Sequence, residues 1–153
     1  MTKTGSSTLL LSLGDRESRV RLTGEDGVSR EFVLALGLDA MTPGPFSRDP
    51  PTSLELEQAI MVVEDVLMPL AARIPPHPLV QLHSPVPLAE ALGSRVQSRE
   101  SIERLFGQLV AMVEGDPLAS AQLPRDRRVT AALLILREWM HHLNAGSVAL
   151  VDE

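Results

Sequence analysis

The residues best placed to do chemistry sit in one short turn, Ser12-Leu13-Gly14-Asp15-Arg16-Glu17-Ser18, directly after the apolar run Leu9-Leu10-Leu11. A strand that runs into a tight glycine turn is a common phosphate cradle, because bare backbone N–H groups converge there on an anion. This turn carries one glycine and two carboxylates. Each carboxylate about 4 Å from a phosphate oxygen costs roughly 1 kcal/mol in water, and about 4 kcal/mol at an effective dielectric near 20. The position suits a phosphate and the charge opposes it. Arg16 and Arg19 would offset this only by pointing inward, and strand alternation sends Arg19 and Arg21 to the face opposite Val20 and Leu22.

Other groups with chemical potential are scattered. Glu138 and His141 make an E-x-x-H spacing that puts both on one helical face, as in carboxylate-bridged metal bundles, which use two such motifs. Only one is present, and His141 and His142 equally suit a helix C-terminus, where an imidazolium is favoured. Arg125, Arg127 and Arg128 cluster where a helix starts, so an anion could join its N–H groups, or Asp126 could cap a solvated turn. Ser12, Ser84 and His83 offer a hydroxyl and a base, but no oxyanion hole or orienting third group stands at recognisable spacing. No metal or cofactor is expected.

The elements that must position these groups follow from hydrophobic periodicity. Residues 8 to 36 predict three strands in an antiparallel meander, with Leu9, Leu11 and Leu13, then Val20 and Leu22, then Val28, Phe32, Leu34 and Leu36 as the apolar positions. Glu25-Asp26-Gly27 supplies the second turn. Ten of the twelve prolines lie between Pro43 and Pro87, which makes that stretch mostly loop. One helix interrupts it, from about Ser53 to Arg73, opened by the capping box of Thr52 and Glu55 and expected to kink or end at Pro69. Its apolar stripe is Leu56, Ile60, Val63, Leu67 and Leu70.

A buried strand is predicted over 78–82, a helical turn over Leu88 to Leu92, and a helix from Ser98 to about Val113 with Ile102, Leu105, Phe106, Leu109 and Val113 inward. The last helix, about Arg127 to Leu143, buries Val129, Leu133, Leu136, Met140 and Leu143 before the stop at Asn144-Ala145-Gly146, and 147–151 forms a final strand. The order β-β-β-α-β-α-α-α-β defines an α/β domain, a mixed five-stranded sheet covered by helices.

Composition bounds the function. The 153 residues suit a single domain over 1–153, 44% apolar and 22% charged. A net charge of -6 and only four Phe and Trp residues, with no Tyr, argue against nucleic-acid binding. Thirteen of the fourteen basic residues are Arg, which suits oxyanion forks and equally a GC-rich coding sequence. No run approaches the roughly 20 apolar residues of a membrane span. The Leu9 to Leu13 run is shorter than the roughly 7–15 residues of a signal-peptide core. The chain contains no cysteine, and a cytoplasmic location is expected.

The element order matches the actin-like, ribonuclease-H-like half-domain, and local sequence resembles the second domain of the exopolyphosphatase and guanosine pentaphosphate phosphohydrolase family. That family's D-x-G-G-G-S-T-E loop is matched by Ser12 to Arg19, its S-L-x-x-G by Leu34-Ala35-Leu36-Gly37, and its D-P loop by Arg48-Asp49-Pro50-Pro51. Its G-G-T-x-x-x-L-A loop resembles Leu82-His83-Ser84-Pro85-Val86-Pro87-Leu88-Ala89, and its arginine followed by G-A-x-I-L resembles Leu123 to Arg128 and Ala132 to Leu136. The resemblance implies a phosphate loop of which Ser12, Gly14, Ser18 and Ser84 are the remnant.

The departures fall on the functional positions. The loop aspartate is Ser12, two of its glycines are Asp15 and Arg16, its serine is Glu17 and its glutamate is Arg19, while Leu82 and His83 replace the paired glycines of the second loop. The resemblance covers one half of a two-domain cleft. It implies a non-catalytic binding or regulatory module that self-associates or holds a protein partner. The alternative is a phosphate, polyphosphate or guanosine-nucleotide binding protein, or a phosphohydrolase, that completes its cleft with another chain. A small accessory chaperone, unrelated to this fold, would lack the meander followed by a helical crossover.

Overall fold

A computed structural model describes residues 7–41, 45–48, 51–75, 77–116, 118 and 126–151. Three strands, β1 (Thr8–Ser12), β2 (Ser18–Thr23) and β3 (Ser29–Leu34), form the antiparallel meander that alternation predicts. Helix α1 (Ser53–Ala71) then crosses to β4 (Leu79–His83), which pairs parallel with β1. Short α2 (Leu88–Leu92) leads to β5 (Val96–Ser98), α3 (Arg99–Val113), α4 (Arg127–Leu143) and β6 (Ser147–Val151). Strand order is β3-β2-β1-β4-β6-β5, with β6 parallel to β4 and β5 antiparallel to β6.

The sheet therefore has six strands, not five. Strand β5 is three residues long and runs straight into α3, so Val96-Gln97-Ser98 offers too little alternation to read as a strand. Its buried Gln97 is held in place by hydrogen bonds, its amide donating to the Ser94 carbonyl at 3.1 Å and its carbonyl accepting from Ser101 Oγ at 2.6 Å.

Helix α1 opens as the sequence predicts. Glu55 N–H donates to Thr52 Oγ1 and Glu55 Oε1 accepts from Thr52 N–H. Pro69 does not end the helix, which runs two residues further to Ala71. Proline removes only the bond to the Asp65 carbonyl, a loss that a helix terminus tolerates. Helix α4 is the central element, with every residue from Val129 to Leu136 buried. Helices α1 and α3 pack against it within one core that also takes in the sheet's buried residues, so its burial is wider than the single stripe its periodicity predicts.

One face of the sheet carries the core, through Leu9, Leu11, Val20, Leu22, Val80, Leu82, Val148 and Leu150. Among the described residues the opposite face is partly to fully exposed. Arg19, Arg21, Glu31 and Gln81 are exposed there, as predicted for Arg19 and Arg21, together with Val33, Leu79 and Val96 at 60%, 59% and 64% exposure. Val28 is not a core position of β3 but an exposed residue of the preceding turn. Asp49-Pro50, Pro117 and Leu123 to Arg125 lie outside the described residues.

Candidate functional site

Strands β1 and β4 are in parallel register with Ser12 opposite His83, and Leu13 N–H donates to the His83 carbonyl at 2.9 Å. The loops that carry Gly14 and Ser84 thus leave the same end of the sheet, the carboxyl ends of parallel strands where open α/β sheets take ligands. Gly14 is required by space, because a Cβ there would collide with the Glu17 carbonyl oxygen. Ser18 is buried, with its hydroxyl donating to the Leu36 carbonyl at 2.9 Å and accepting from Gly14 N–H at 3.3 Å. That hydroxyl fastens the turn to the segment after β3.

The same segment closes over the turn. Leu38 N–H donates to the Gly14 carbonyl at 2.9 Å and Asp39 N–H to the Asp15 carbonyl at 2.7 Å. Gly37 lies against it so closely that a Cβ would stand 2.5 Å from the Asp15 oxygen and 2.7 Å from Arg16 N.

The charge is answered from α4. Arg128 donates from Nη2 to Asp15 Oδ1 at 2.6 Å and from Nη1 to Asp39 Oδ2 at 2.8 Å. The hydrogen bond to Asp15 foremost, with the charge of Asp39 beside it, raises the guanidinium pKa further above its usual value despite partial burial. Arg127 is also used internally, donating to the Phe46 carbonyl at 3.0 Å. At the α4 N-terminus the Asp126 carboxylate accepts from Arg128 N–H and Val129 N–H at 2.9 and 3.3 Å, which occupies the donors an anion would need. Of the two readings open for this arginine cluster, the capped turn is the one present, but Arg127 and Arg128 serve as ties rather than as a solvated face.

Of the four loop remnants, Ser12 ends β1 and Gly14 and Ser18 belong to the turn that follows, whereas among the described residues Ser84 lines a different pocket from Ser12. Ser84 Oγ accepts from Val86 N–H at 3.2 Å, and with Leu82, Leu88 and Leu150 it lines a pocket of about 10 Å³. That is the lower limit for one water. A phosphate does not fit. Ser12 instead faces the open side of the sheet, beside Leu10, Arg19, Arg21 and Glu31 around a shallow groove of about 140 Å³. Sequence reasoning missed Asp39 and the ion pairs of Arg128, since 89 and 113 residues separate the partners and no local pattern links them.

No family model matches the chain, and none of the curated proteins does. Solved structures do. A PPX-GPPA enzyme of Aquifex aeolicus superposes with a TM-score of 0.70 at 13% identity, over 97% of this chain and 54% of that one. An exopolyphosphatase-like protein gives 0.70 at 14%, over 96% and 55%, and an exopolyphosphatase from Cytophaga hutchinsonii gives 0.64 at 16%, over 96% and 53%. At such identity the likeness is one of fold. It establishes the actin-like, ribonuclease-H-like half-domain, and the chain spans about half the length of the structures it matches.

Proposed function

We propose that this chain is a cytoplasmic, non-catalytic member of the exopolyphosphatase-like fold, a half-domain that serves as a binding or regulatory module. One observation carries the reading: Arg128, which α4 brings beside the turn after β1, is held by Asp15 and Asp39 of its own chain. A phosphate would have to displace two carboxylates that stand where it needs positive charge, in a turn whose Gly14 N–H already donates to Ser18. Asp126 forecloses the α4 N-terminus in the same way. The module binds its own second copy or another protein, and the exposed sheet face, which mixes Val33, Leu79 and Val96 with Arg19, Arg21 and Glu31, is the surface offered for that contact.

Phosphate release from polyphosphate and from guanosine pentaphosphate, measured with magnesium, is expected to stay at the buffer rate. Turnover that Arg128→Ala abolishes would instead favour a phosphohydrolase completed by another chain. Static light scattering is expected to give an assembly heavier than the 16.6 kDa chain. A strict monomer with no partner in pull-downs would contradict the module.

A further inference from the structure

Away from the turn, three ionisable side chains converge between α1 and α4. Glu138 and His142 stand one helical turn apart on α4, and Glu64 reaches them from α1. His142 Nε2 lies 3.3 Å from Glu138 Oε1 and 3.4 Å from Glu64 Oε2, and all three atoms lie within 4.8 Å of one another. The Glu138 side chain is fully buried. Its Oε2 accepts from Arg137 Nη1 at 2.6 Å, yet Oε1 and His142 Nε2 are both shielded from solvent and form no hydrogen bond, even with each other. A buried carboxylate oxygen without a donor is costly unless something else satisfies it.

A metal ion satisfies all three atoms at once. Zinc binds imidazole nitrogen and carboxylate oxygen at about 2.0–2.1 Å, which in a tetrahedron separates neighbouring ligand atoms by about 3.3–3.4 Å. The two His142 separations match that edge. We infer that Glu64, Glu138 and His142 form a mononuclear zinc site with three protein ligands. The Glu64 side chain is 42% exposed, so the cluster reaches solvent on the α1 side. Arg137 also donates to Glu103 at 3.2 Å and so fixes the Glu138 carboxylate from behind, the outer-shell support that metal-ligating groups usually have. The E-x-x-H spacing points to the wrong histidine. His141 is half-exposed and turned toward Glu103, and it is His142, at the i+4 position, that meets Glu138.

The competing description is an ion pair in which a protonated His142 bridges the two carboxylates without metal. Calorimetric titration of the chelator-washed full chain with zinc chloride separates them. One ion per chain is expected, with binding abolished in His142→Ala and weakened more than about tenfold in Glu64→Gln. His142→Ala opens a gap beside the buried Glu138 Oε1 and threatens folding, whereas Glu64→Gln changes a partly exposed group and keeps the test decisive. No saturable binding by the wild-type chain, or equal binding by Glu64→Gln, overturns the site.

Discussion

Substituting alanine at Gly37 tests how tightly the turn after β1 is closed. The added Cβ would stand 2.5 Å from the Asp15 carbonyl oxygen, 2.6 Å from its carbon and 2.7 Å from Arg16 N. All three are backbone atoms, so no side chain can swing aside. The backbone is also tied directly after the contact, by Leu38 N–H to Gly14 and Asp39 N–H to Asp15. Relief requires the turn and the segment after β3 to move apart. Forcing a methyl into packed structure costs about 1–3 kcal/mol, and loosening two backbone hydrogen bonds adds about 0.5–1.5 kcal/mol each. A total near 4 kcal/mol lowers Tm by about 8–16 °C, at about 2–4 °C per kcal/mol for a chain of this size. Thermal melts followed by circular dichroism measure it. Gly107→Ala is the control, because nothing lies within 4 Å of a Cβ there and the position is inside helix α3. It is expected to stabilise by up to about 1 kcal/mol, the helix-propensity difference between the two residues. A Gly37→Ala melt within about 2 °C of wild type would refute the closure.

Two further outcomes follow from the electrostatics. Arg128→Met removes both ion pairs, with Asp15 63% exposed and Asp39 34% exposed, so it is expected to cost only about 0.5–1.5 kcal/mol in chemical denaturation. Most of that difference should vanish in 1 M salt, where screening acts over about 3 Å. Glu55 gives the pH dependence: burial pushes its pKa up, but hydrogen bonds from the Ser47 hydroxyl, Ser47 N–H and Thr52 N–H outweigh it and hold the carboxyl below 4.5. A depressed folded-state pKa contributes stability that is present above 4.5 and lost as pH falls through the folded value. Glu55→Gln should therefore be less stable than wild type at pH 7, with the gap closing below pH 4.5 in urea melts. A gap that stays constant with pH would exclude the carboxylate as its source.

Much of the fold is legible in the sequence because its signals are local. The Thr52 and Glu55 capping box fixes the start of α1, and the stop at Asn144 takes the left-handed conformation, φ 53°, that a helix C-cap favours. The stripes hold in part. Leu56, Val63, Leu67 and Leu70 are buried as predicted, but Ala59 rather than Ile60 completes the α1 face, and in α3 Met112 goes in where Leu105 and Val113 stay half-buried. What the sequence hides is tertiary. Leu38, Met41 and Phe46 are fully or nearly fully buried core residues on the irregular segment after β3, where no period marks them. Glu138 is a charged residue whose burial becomes intelligible only once Arg137, His142 and Glu64 are seen around it.

The same holds at the turn. Asp15 reads in sequence as a repulsive charge, whereas in the structure it is one arm of an ion-pair clamp closed by Arg128. Titration of inorganic tripolyphosphate into the wild-type chain tests that closure most directly. Calorimetry is predicted to show no saturable heat at millimolar ligand; saturable binding that Arg128→Ala abolishes would contradict it.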